Sequence, residues 1–414
     1  MSVDNERTAA VLRDWAEQAA ANPDRYRAAP RWANVRRTGS ELWIETAEEE
    51  AANDLWSAEF SGLILEAGSL SDLVRGRQRD DLIARIASEL PPGLAPARAA
   101  DEVRFAIEAA QGLLLAQRFK CRVCVNLNVG FSHDVDGTVV EALRFHAISP
   151  DRFMVRVPLT EEGLLAARRL GARRVPVSIA GAVSARQAFL SCVIAQPACI
   201  ETAVQSVKPF MVANRLGEGS STPAVAALAA RHAVRESNRL LNLRVRHVLS
   251  GLRSADLVEL VAGCDVLSLS AALVREYETR NLNTGFLVSR VESEPEIDAA
   301  PDADLEASGL PTLWAVPERL KAGALVLARR DPDRLSAEDI RSALAHAGFP
   351  GMLPRLSEDD LGAAQEDGPA PDLALWRGRM DVGKVELDGL LSLYQVSATA
   401  KAQRAMCEYI LAKL

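Results

Sequence analysis

The sequence predicts an α/β protein built on a closed (β/α)₈ TIM barrel, with an N-terminal helix and a mostly helical C-terminal extension. The main observation is that eight short apolar runs, rich in β-branched residues, alternate with stretches of helical period. A second observation argues against an open doubly wound sheet: "IETAEEEA" after the first run lacks the glycines that usually follow the first strand of that fold. The eight predicted strands are residues 42–44, 63–65, 122–127, 153–157, 175–179, 204–212, 243–249 and 265–269.

The segments between and around these runs predict helices and a linker. "TEEGLLAARRLGA" and "AVAALAARHAVRESNRLL" have the spacing of helices that connect parallel strands. Residues 1–38 read as an N-terminal helical segment, residues 39–290 as the barrel, and residues 291–310, which are acidic and rich in Pro and Ala, as a linker. In the extension at residues 311–414, "LSAEDIRSALAHAGF" opens with a Ser-x-x-Asp helix cap.

Composition restricts the location and the partners. The net charge of -8 argues against nucleic acid as an obligatory partner, because phosphate backbones require a basic face. No apolar run approaches the length of a membrane span, and the acidic N-terminal segment is unlike a secretory signal. The six cysteines form no disulfide framework, so we expect a reducing, cytoplasmic setting. A small anionic ligand stays compatible with this charge, and the sequence leaves a homo-oligomer open.

No metal and no other cofactor are expected. Cys121 and Cys124 form a CxxC pair, but they lie in the alternating run "FKCRVCVNLNV", and the second pair that a structural zinc site needs is absent. Packing within a strand is therefore the better interpretation of these two cysteines. The five histidines show no two-ligand spacing on one predicted helix or strand.

Polar residues cluster near the predicted carboxyl ends of the strands, where TIM barrels carry their active sites. Charged groups gathered in one basin are costly without a ligand or mutual pairing, so the set as a whole predicts a binding site. The alternative is that some of them point outward to the helices or pair as a structural cluster. The candidates are Glu45, Glu66, Asn126, Asn128, Arg156, Ser178, Lys208, Arg215, Ser250, Arg253, Ser268 and Ser270.

Residues from about 40 to 285 resemble transaldolases and fructose-6-phosphate aldolases. The resemblance rests on the order of blocks such as "LWIETAEEEAANDLWSAEFSGLILEAGSL" and "VCVNLNVGFSHDVDGTVVEAL", and on Pro158-x-Thr160-x-x-Gly163. It implies class I aldol chemistry on a sugar phosphate in carbohydrate metabolism, with a fourth-strand lysine that forms a Schiff base with a keto sugar. The C-terminal extension has no counterpart in this resemblance.

The catalytic positions that the resemblance implies are altered. Arg156 occupies the position of the Schiff-base lysine, and a guanidinium cannot form an imine. Glu45 takes the place of the family's acid/base aspartate, whereas Asn126, at the position of the water-activating glutamate, cannot shuttle a proton. The remaining correspondences are Glu66 near the second-strand asparagine, Ser178 at the fifth-strand asparagine, and Arg215 at the arginine that binds the substrate phosphate.

Lys208, on the predicted sixth strand, is the candidate for a relocated nucleophile. A lysine in a dry, cation-rich basin has a lowered pKa and supplies the free amine that an imine needs. The alternatives are that Lys208 pairs with Glu66 or binds a phosphate.

Three hypotheses for function follow. The first is a lyase or transferase of the transaldolase type that acts on a sugar phosphate or a related ketose, with Lys208, Glu45 and Glu66 as catalytic residues. Its substrate-binding residues would be Arg156, Arg215, Asn126, Ser178, Ser250 and Arg253. The second is a catalytically degenerate homologue that binds a phosphorylated ligand and serves as a regulatory or scaffold subunit. The third is a biosynthetic enzyme that performs non-imine chemistry on the same barrel.

Overall fold

A computed structural model describes residues 5–19, 28–280, 287–355, 357–368 and 370–414. Eight parallel strands pair in sequence order, and the last closes on the first, so the predicted (β/α)₈ barrel is confirmed. The strands are β1 (Glu41–Glu45), β2 (Phe60–Ile64), β3 (Arg122–Asn126), β4 (Phe153–Pro158), β5 (Val177–Ala182), β6 (Cys199–Ala203), β7 (Arg246–Ser250) and β8 (Val266–Ser270).

Helices precede, surround and follow the barrel. Before it lie α1 (Asn5–Ala19) and α2 (Pro30–Arg37). Around it lie α3 (Glu49–Leu55), α4 (Ala67–Arg75), α5 (Asp80–Glu89), α6 (Pro96–Phe119), α7 (Val135–Ile148), α8 (Glu161–Ala172), α9 (Ala185–Ala195), α10 (Val207–Ala213), α11 (Thr222–Leu241), α12 (Ala255–Leu260) and α13 (Ala271–Thr279). The extension contains α14 (Leu305–Ser308), α15 (Glu318–Ala328), α16 (Ala337–Ala347), α17 (Glu358–Glu366), α18 (Leu373–Asp381) and α19 (Leu387–Leu411). In the described part of the chain, no helix combines the length and the apolarity needed to cross a bilayer.

The barrel interior has an apolar floor beneath a polar layer. Along each strand, every second side chain points into the barrel. The floor is a buried cluster that includes Cys124, so this half of the CxxC pair packs inside the barrel. The polar layer lies one pleat higher, where Asn126 pairs in register with Arg156 on β4. The floor residues are Trp43, Ile64, Cys124, Met154, Cys199, Val248 and Val266.

The connection from β4 to α8 shows why the Pro158-x-Thr160-x-x-Gly163 pattern has its residues. The Thr160 side chain caps α8 by accepting a hydrogen bond from the Gly163 amide at 2.9 Å. A Cβ atom on Gly163 would lie 2.1 Å from the Pro158 carbonyl oxygen, so only glycine allows the helix to pack this closely against the strand.

The prediction of the sixth strand is wrong. We expected a strand at residues 204–212, but β6 is Cys199–Ala203, and Val207–Ala213 forms α10. Val207, Phe210 and Met211 are buried at helical spacing, and a short apolar run cannot by periodicity alone distinguish a strand from a helix. The other seven predicted strands overlap strands of the structure.

The predicted linker packs against the barrel. Residues 287–304 contain no helix or strand, yet the Ala300 amide donates to the Leu216 carbonyl at 2.8 Å. The Asp298 carboxylate accepts hydrogen bonds from the Thr222 hydroxyl at 2.7 Å and the Thr222 amide at 3.2 Å. It thereby satisfies donors at the start of α11.

The last helix, α19, is attached to the barrel by a buried ion pair. The Asp388 carboxylate accepts from Arg186 Nε at 2.7 Å and Arg186 Nη2 at 2.6 Å, and from the Ser184 hydroxyl at 2.7 Å. All three side chains are buried. The start of α19 is therefore fixed on α9.

Candidate active site

A cavity of about 700 Å³ lies at the carboxyl ends of the barrel strands. The strand ends form its floor and α19 forms one wall, so residues from the two ends of the sequence share it. Among the lining residues are Glu45, Glu66, Asn126, Arg156, Glu201, Gln205, Ser250, Arg253, Ser270, Tyr394, Gln395, Ser397 and Lys401. Its size suits a small organic ligand.

Arg156, the charged residue within β4, is held by Glu201 on β6. The guanidinium donates from Nε to Glu201 Oε2 at 3.0 Å and from Nη2 to Glu201 Oε1 at 2.8 Å. The Ser250 hydroxyl donates to the same Oε1 at 2.9 Å. Burial alone would lower the pKa of Arg156, but the Glu201 charge raises it above its ordinary value, so the guanidinium keeps its proton.

Asn126 fixes the other side of the guanidinium. Its Nδ2 donates to the Leu65 carbonyl at 2.7 Å and to Glu108 Oε1 at 2.8 Å. Because both of these partners are acceptors, the Oδ1 atom must face Arg156, whose Nη1 donates to it at 2.6 Å. Glu108 lies on α6, and burial raises its pKa to about 7.

Glu45 is the carboxyl group with the properties of a proton-transfer group. Burial, followed by the Glu201 charge, raises its pKa to about 7, while the Ser268 hydroxyl and the Arg156 charge act in the opposite direction. Its Oε1 atom is buried and has no hydrogen-bond partner among the described residues. Both protonation states are therefore populated near neutral pH, and one carboxyl oxygen of this cavity-lining residue keeps an unused acceptor.

Glu66 lines the cavity but has a structural role as well. Its carboxylate caps α4 and accepts hydrogen bonds from the Gly68 and Ser69 amides. This arrangement stabilises the start of the helix and engages both carboxylate oxygens.

The other candidates at the strand ends divide between the cavity and the interior. Ser250, Arg253 and Ser270 line the cavity. Ser178 pairs in register with Arg156 and is buried, but it does not line the cavity, and Ser268 lies buried beside Glu45. Asn128 caps the short turn at Val129–Phe131.

Lys208 and Arg215 are not in this cavity, because the sixth strand ends before them. Lys208 lies exposed on α10, and its amine donates to the Ser220 hydroxyl at 3.0 Å, not to Glu66. Arg215 is exposed after α10, where its φ of 57° places it in the left-handed region. Neither residue lines the cavity, so the proposed roles of Lys208 as a strand-six nucleophile and Arg215 as part of an anion clamp with Arg156 have no support from the geometry.

Sequence reasoning missed Glu201 and the residues of α19. A signal for Glu201 exists, because an arginine within a buried strand requires an acidic partner on a nearby strand, and "CIETA" places one there. The signal is hidden by the stronger apolarity of the next segment, "VQSVKPFMV". For α19, more than 100 residues beyond the last strand, the sequence gives no spacing that ties it to the cavity.

Within the described ranges, no group of three or more His, Cys, Asp or Glu side chains is placed to hold a metal ion.

Comparisons with known proteins concern the barrel. The transaldolase of Xanthomonas euvesicatoria pv. vesicatoria is 24% identical over 229 residues, which are 54% of this chain and 70% of that protein. The transaldolase of Xanthomonas campestris pv. campestris is 26% identical over 184 residues, 43% of this chain and 56% of the relative. That of Glaesserella parasuis serovar 5 is 26% identical over 211 residues, 47% of this chain and 63% of the relative. The latter two matches thus span less than two thirds of the relatives' own length.

The family model for Transaldolase/Fructose-6-phosphate aldolase matches residues 74–307. The match begins after β1 and β2, which carry Glu45 and Glu66, and ends before α19. It covers more than half of the chain and contains β3 to β8. The chain therefore belongs to the transaldolase/fructose-6-phosphate aldolase family.

Proposed function

We propose that this protein is an enzyme that performs aldol-type acid–base chemistry on a phosphorylated ketose or a related hydroxy ketone, without a Schiff base on the fourth strand. The observation that carries the proposal is the Glu45 carboxyl group, which is half-buried at the cavity floor with a pKa of about 7 and an unpartnered Oε1. Family membership supports the choice of a sugar phosphate as the substrate class.

Among the described residues, no side chain at the barrel floor carries an amine that could form an imine. Arg156 stands at the position of the family's lysine, with three hydrogen bonds that hold it, and Lys208 lies outside the cavity. Lys401 does line the cavity, but it is exposed on α19 and not in the floor with Glu45.

Arg156 offers stabilisation of negative charge in place of the imine. A guanidinium has five N–H donors, and Glu201 and Asn126 engage three of them. The remaining donors are available to a substrate carbonyl oxygen, where a fixed cation stabilises an enolate without reorganisation.

The proposed step is the cleavage of a carbon–carbon bond next to a substrate hydroxyl group. The Glu45 carboxylate takes the proton of the substrate hydroxyl, and the O–H electron pair forms the C=O bond of a released aldehyde. The adjacent carbon–carbon bond breaks, and its electron pair is taken up as an enolate whose oxygen faces Arg156. Glu45, now protonated, returns the proton to the enolate carbon. No redox partner is required.

Charge in the cavity indicates how a phosphorylated substrate would lie. At the floor, Arg156 is paired with Glu201, whereas Arg253 lines the cavity, is exposed and forms no ion pair within the described ranges. We place the uncharged carbonyl end of the substrate near Glu45 and the phosphate toward the exposed cations of the cavity, Arg253 and Lys401.

The test combines turnover with borohydride trapping. We expect the wild type to cleave or transfer fructose 6-phosphate without forming a borohydride-reducible adduct, and Glu45→Gln to lower turnover by about 10²- to 10⁴-fold while retaining substrate binding. Glu50→Gln, at an exposed position on α3, is the matched control and should keep full activity.

Two results would contradict the proposal. An adduct that disappears in Lys401→Ala would assign imine chemistry to α19. Binding of fructose 6-phosphate without turnover by the wild type would instead support a degenerate homologue that serves as a binding subunit.

A further inference from the structure

The helix α19 forms a wall of the cavity although it lies outside the part of the chain that matches the family. The lining residues from this helix run from Tyr394 to Lys401 and span about two turns. The helix therefore presents one continuous patch to whatever occupies the barrel mouth.

Hydrogen bonds to the strand ends hold this part of α19 in place. Gln395 Nε2 donates to the Ala203 carbonyl at the end of β6, at 3.1 Å. Gln403 Nε2 donates to the Leu127 carbonyl at 2.9 Å, and its Oε1 accepts from the Val129 amide at 2.9 Å. Because these contacts lie on both sides of the patch, the patch has a fixed position over β3 and β6.

Ser397 lies between these anchors, and its hydroxyl has no partner. The Oγ atom is buried and lacks a hydrogen bond to any of the described residues. Serines within other helices satisfy the hydroxyl on the preceding turn: Ser191 donates to the Gln187 carbonyl at 2.8 Å and Ser237 to the Ala233 carbonyl at 2.9 Å. Ser397 makes no such bond, so its hydroxyl keeps an unused donor and acceptor in a residue that lines the cavity.

A second unpartnered polar atom belongs to another wall of the cavity. Gln205, just after β6, lines the cavity, and its Oε1 is buried without a partner within the described ranges. An acceptor from Gln205 and a hydroxyl from Ser397 fit a ligand that carries hydroxyl groups, because each atom would otherwise stay desolvated without a hydrogen bond.

Lys401 is one helical turn beyond Ser397, on the same face of α19. Its side chain is exposed and lines the cavity, and it forms no ion pair in the described part of the chain. A buried hydroxyl and a cation one turn apart match a ligand whose hydroxyl lies close to an anionic group.

We infer that α19 is a substrate-recognising element of this site: Ser397 hydrogen-bonds a hydroxyl of the substrate, and Lys401 binds its phosphate. The inference rests on the proposed function in using the same cavity and substrate class. It adds residues from the C-terminal extension, which makes the extension a part of the binding site.

Isothermal titration calorimetry with fructose 6-phosphate, fructose and inorganic phosphate tests this inference. We expect Lys401→Ala to weaken binding of fructose 6-phosphate and inorganic phosphate by about tenfold, since a charge-assisted hydrogen bond is lost, and to leave fructose binding unchanged. Ser397→Ala should weaken fructose 6-phosphate and fructose by roughly fivefold each and spare inorganic phosphate. Arg404→Ala is the control, because Arg404 is exposed on α19 and does not line the cavity.

The inference is overturned if Lys401→Ala and Arg404→Ala change affinity equally, or if Ser397→Ala binds both sugars as the wild type does. Thermal unfolding of each variant separates a lost contact from a lost fold. Turnover separates this inference from the proposed function. Phosphate binding that depends on Lys401 but is followed by no reaction removes only the function, whereas turnover that is insensitive to both variants removes only the inference.

Discussion

The Arg156 guanidinium on β4 reaches past β5 to make two hydrogen bonds with the Glu201 carboxylate on β6, at 2.8 and 3.0 Å. The Arg156 side chain is 17% exposed and that of Glu201 5%. A charge at this depth costs several kcal/mol to desolvate unless it is paired. The pair thus explains how a barrel strand holds an arginine. It also acts on Glu45 with both signs, because the Glu201 charge raises the pKa of Glu45 more than the Arg156 charge lowers it.

Breaking this pair from one side should destabilise the protein more than replacing both partners. Glu201→Leu leaves the Arg156 charge buried without its counter-ion, and we expect a loss of about 3–5 kcal/mol in the free energy of unfolding. The double variant Arg156→Met/Glu201→Leu removes both charges and should lose less than Glu201→Leu alone. Urea unfolding gives the free energy of unfolding of the wild type, the single variant and the double variant. A double variant at least as unstable as Glu201→Leu would contradict the prediction.

The ionisation of Glu45 should lower the stability as the pH rises from about 4.5 to 7. The pKa of Glu45 is raised in the folded state from 4.5 to about 7, so the folded protein binds more protons than the unfolded chain in this window. The cost of ionising Glu45 is absent below pH 4.5 and complete above pH 7, and it is on the order of 3 kcal/mol. Glu108 contributes a fall of the same sign, because burial raises its pKa to about 7.

Glu45→Gln should remove one part of this pH dependence. We expect the variant to lose stability less steeply than the wild type over the same window and to be the more stable protein at pH 8. Glu50→Gln should follow the wild-type curve. Denaturant unfolding at a series of pH values measures the free energy of unfolding. If this free energy changes with pH equally in the wild type and in Glu45→Gln, Glu45 does not titrate between pH 4.5 and 7.

Most of the fold could be predicted from the sequence, since alternating periods reveal strands and helices wherever the buried face is apolar. The exception is instructive. β6 carries Glu201 and Thr202 within five residues, which weakens its apolar signal, whereas Val207, Phe210 and Met211 give α10 a stronger one. β6 was therefore missed because its polar residues weaken a short strand that is followed at once by a more apolar helix.

The misplaced sixth strand also led to a wrong choice of residues at the end of that strand. The position of Glu45, Asn126, Ser250 and Arg253 follows from the rule that barrel chemistry lies at the carboxyl ends of strands, and they do line the cavity. Lys208 was assigned to a strand end that does not exist. The residues of α19 could not be predicted, because their contact with β3 and β6 depends on long-range packing, as in the bonds of Gln403.

Lys208→Ala should leave turnover and binding of fructose 6-phosphate within twofold of the wild type. Lys208 is exposed on α10 with its amine on Ser220, and it contributes nothing to the cavity wall. The exposed Arg215→Ala variant should behave in the same way. A drop in turnover of 10²-fold or more in Lys208→Ala would restore the relocated-nucleophile hypothesis.

The rate of the proposed reaction should rise with pH through about 7 if Glu45 acts as the base. Its carboxylate is the minor form below its pKa of about 7, so kcat/KM should fall about tenfold for each pH unit below that value. The residual kcat/KM of Glu45→Gln should not fall in this way below pH 7. A wild-type profile that stays flat between pH 5 and 8 would assign the proton transfer to another group.

Removing the Gln403 side chain should loosen α19 from the barrel. In Gln403→Ala, the Val129 amide loses its acceptor and the Leu127 carbonyl loses a donor, at a position where Gln403 itself is buried. We expect a loss of about 1–3 kcal/mol in the free energy of unfolding and faster hydrogen exchange at the Val129 amide. Exchange read at Val129 by NMR, with Arg404→Ala as the control, distinguishes local release from global destabilisation.

If Ser397 and Lys401 recognise the substrate only while α19 is held over β3, the Gln403→Ala variant should also bind fructose 6-phosphate more weakly. Unchanged affinity would show that the anchor at Gln403 is not needed for the wall to form.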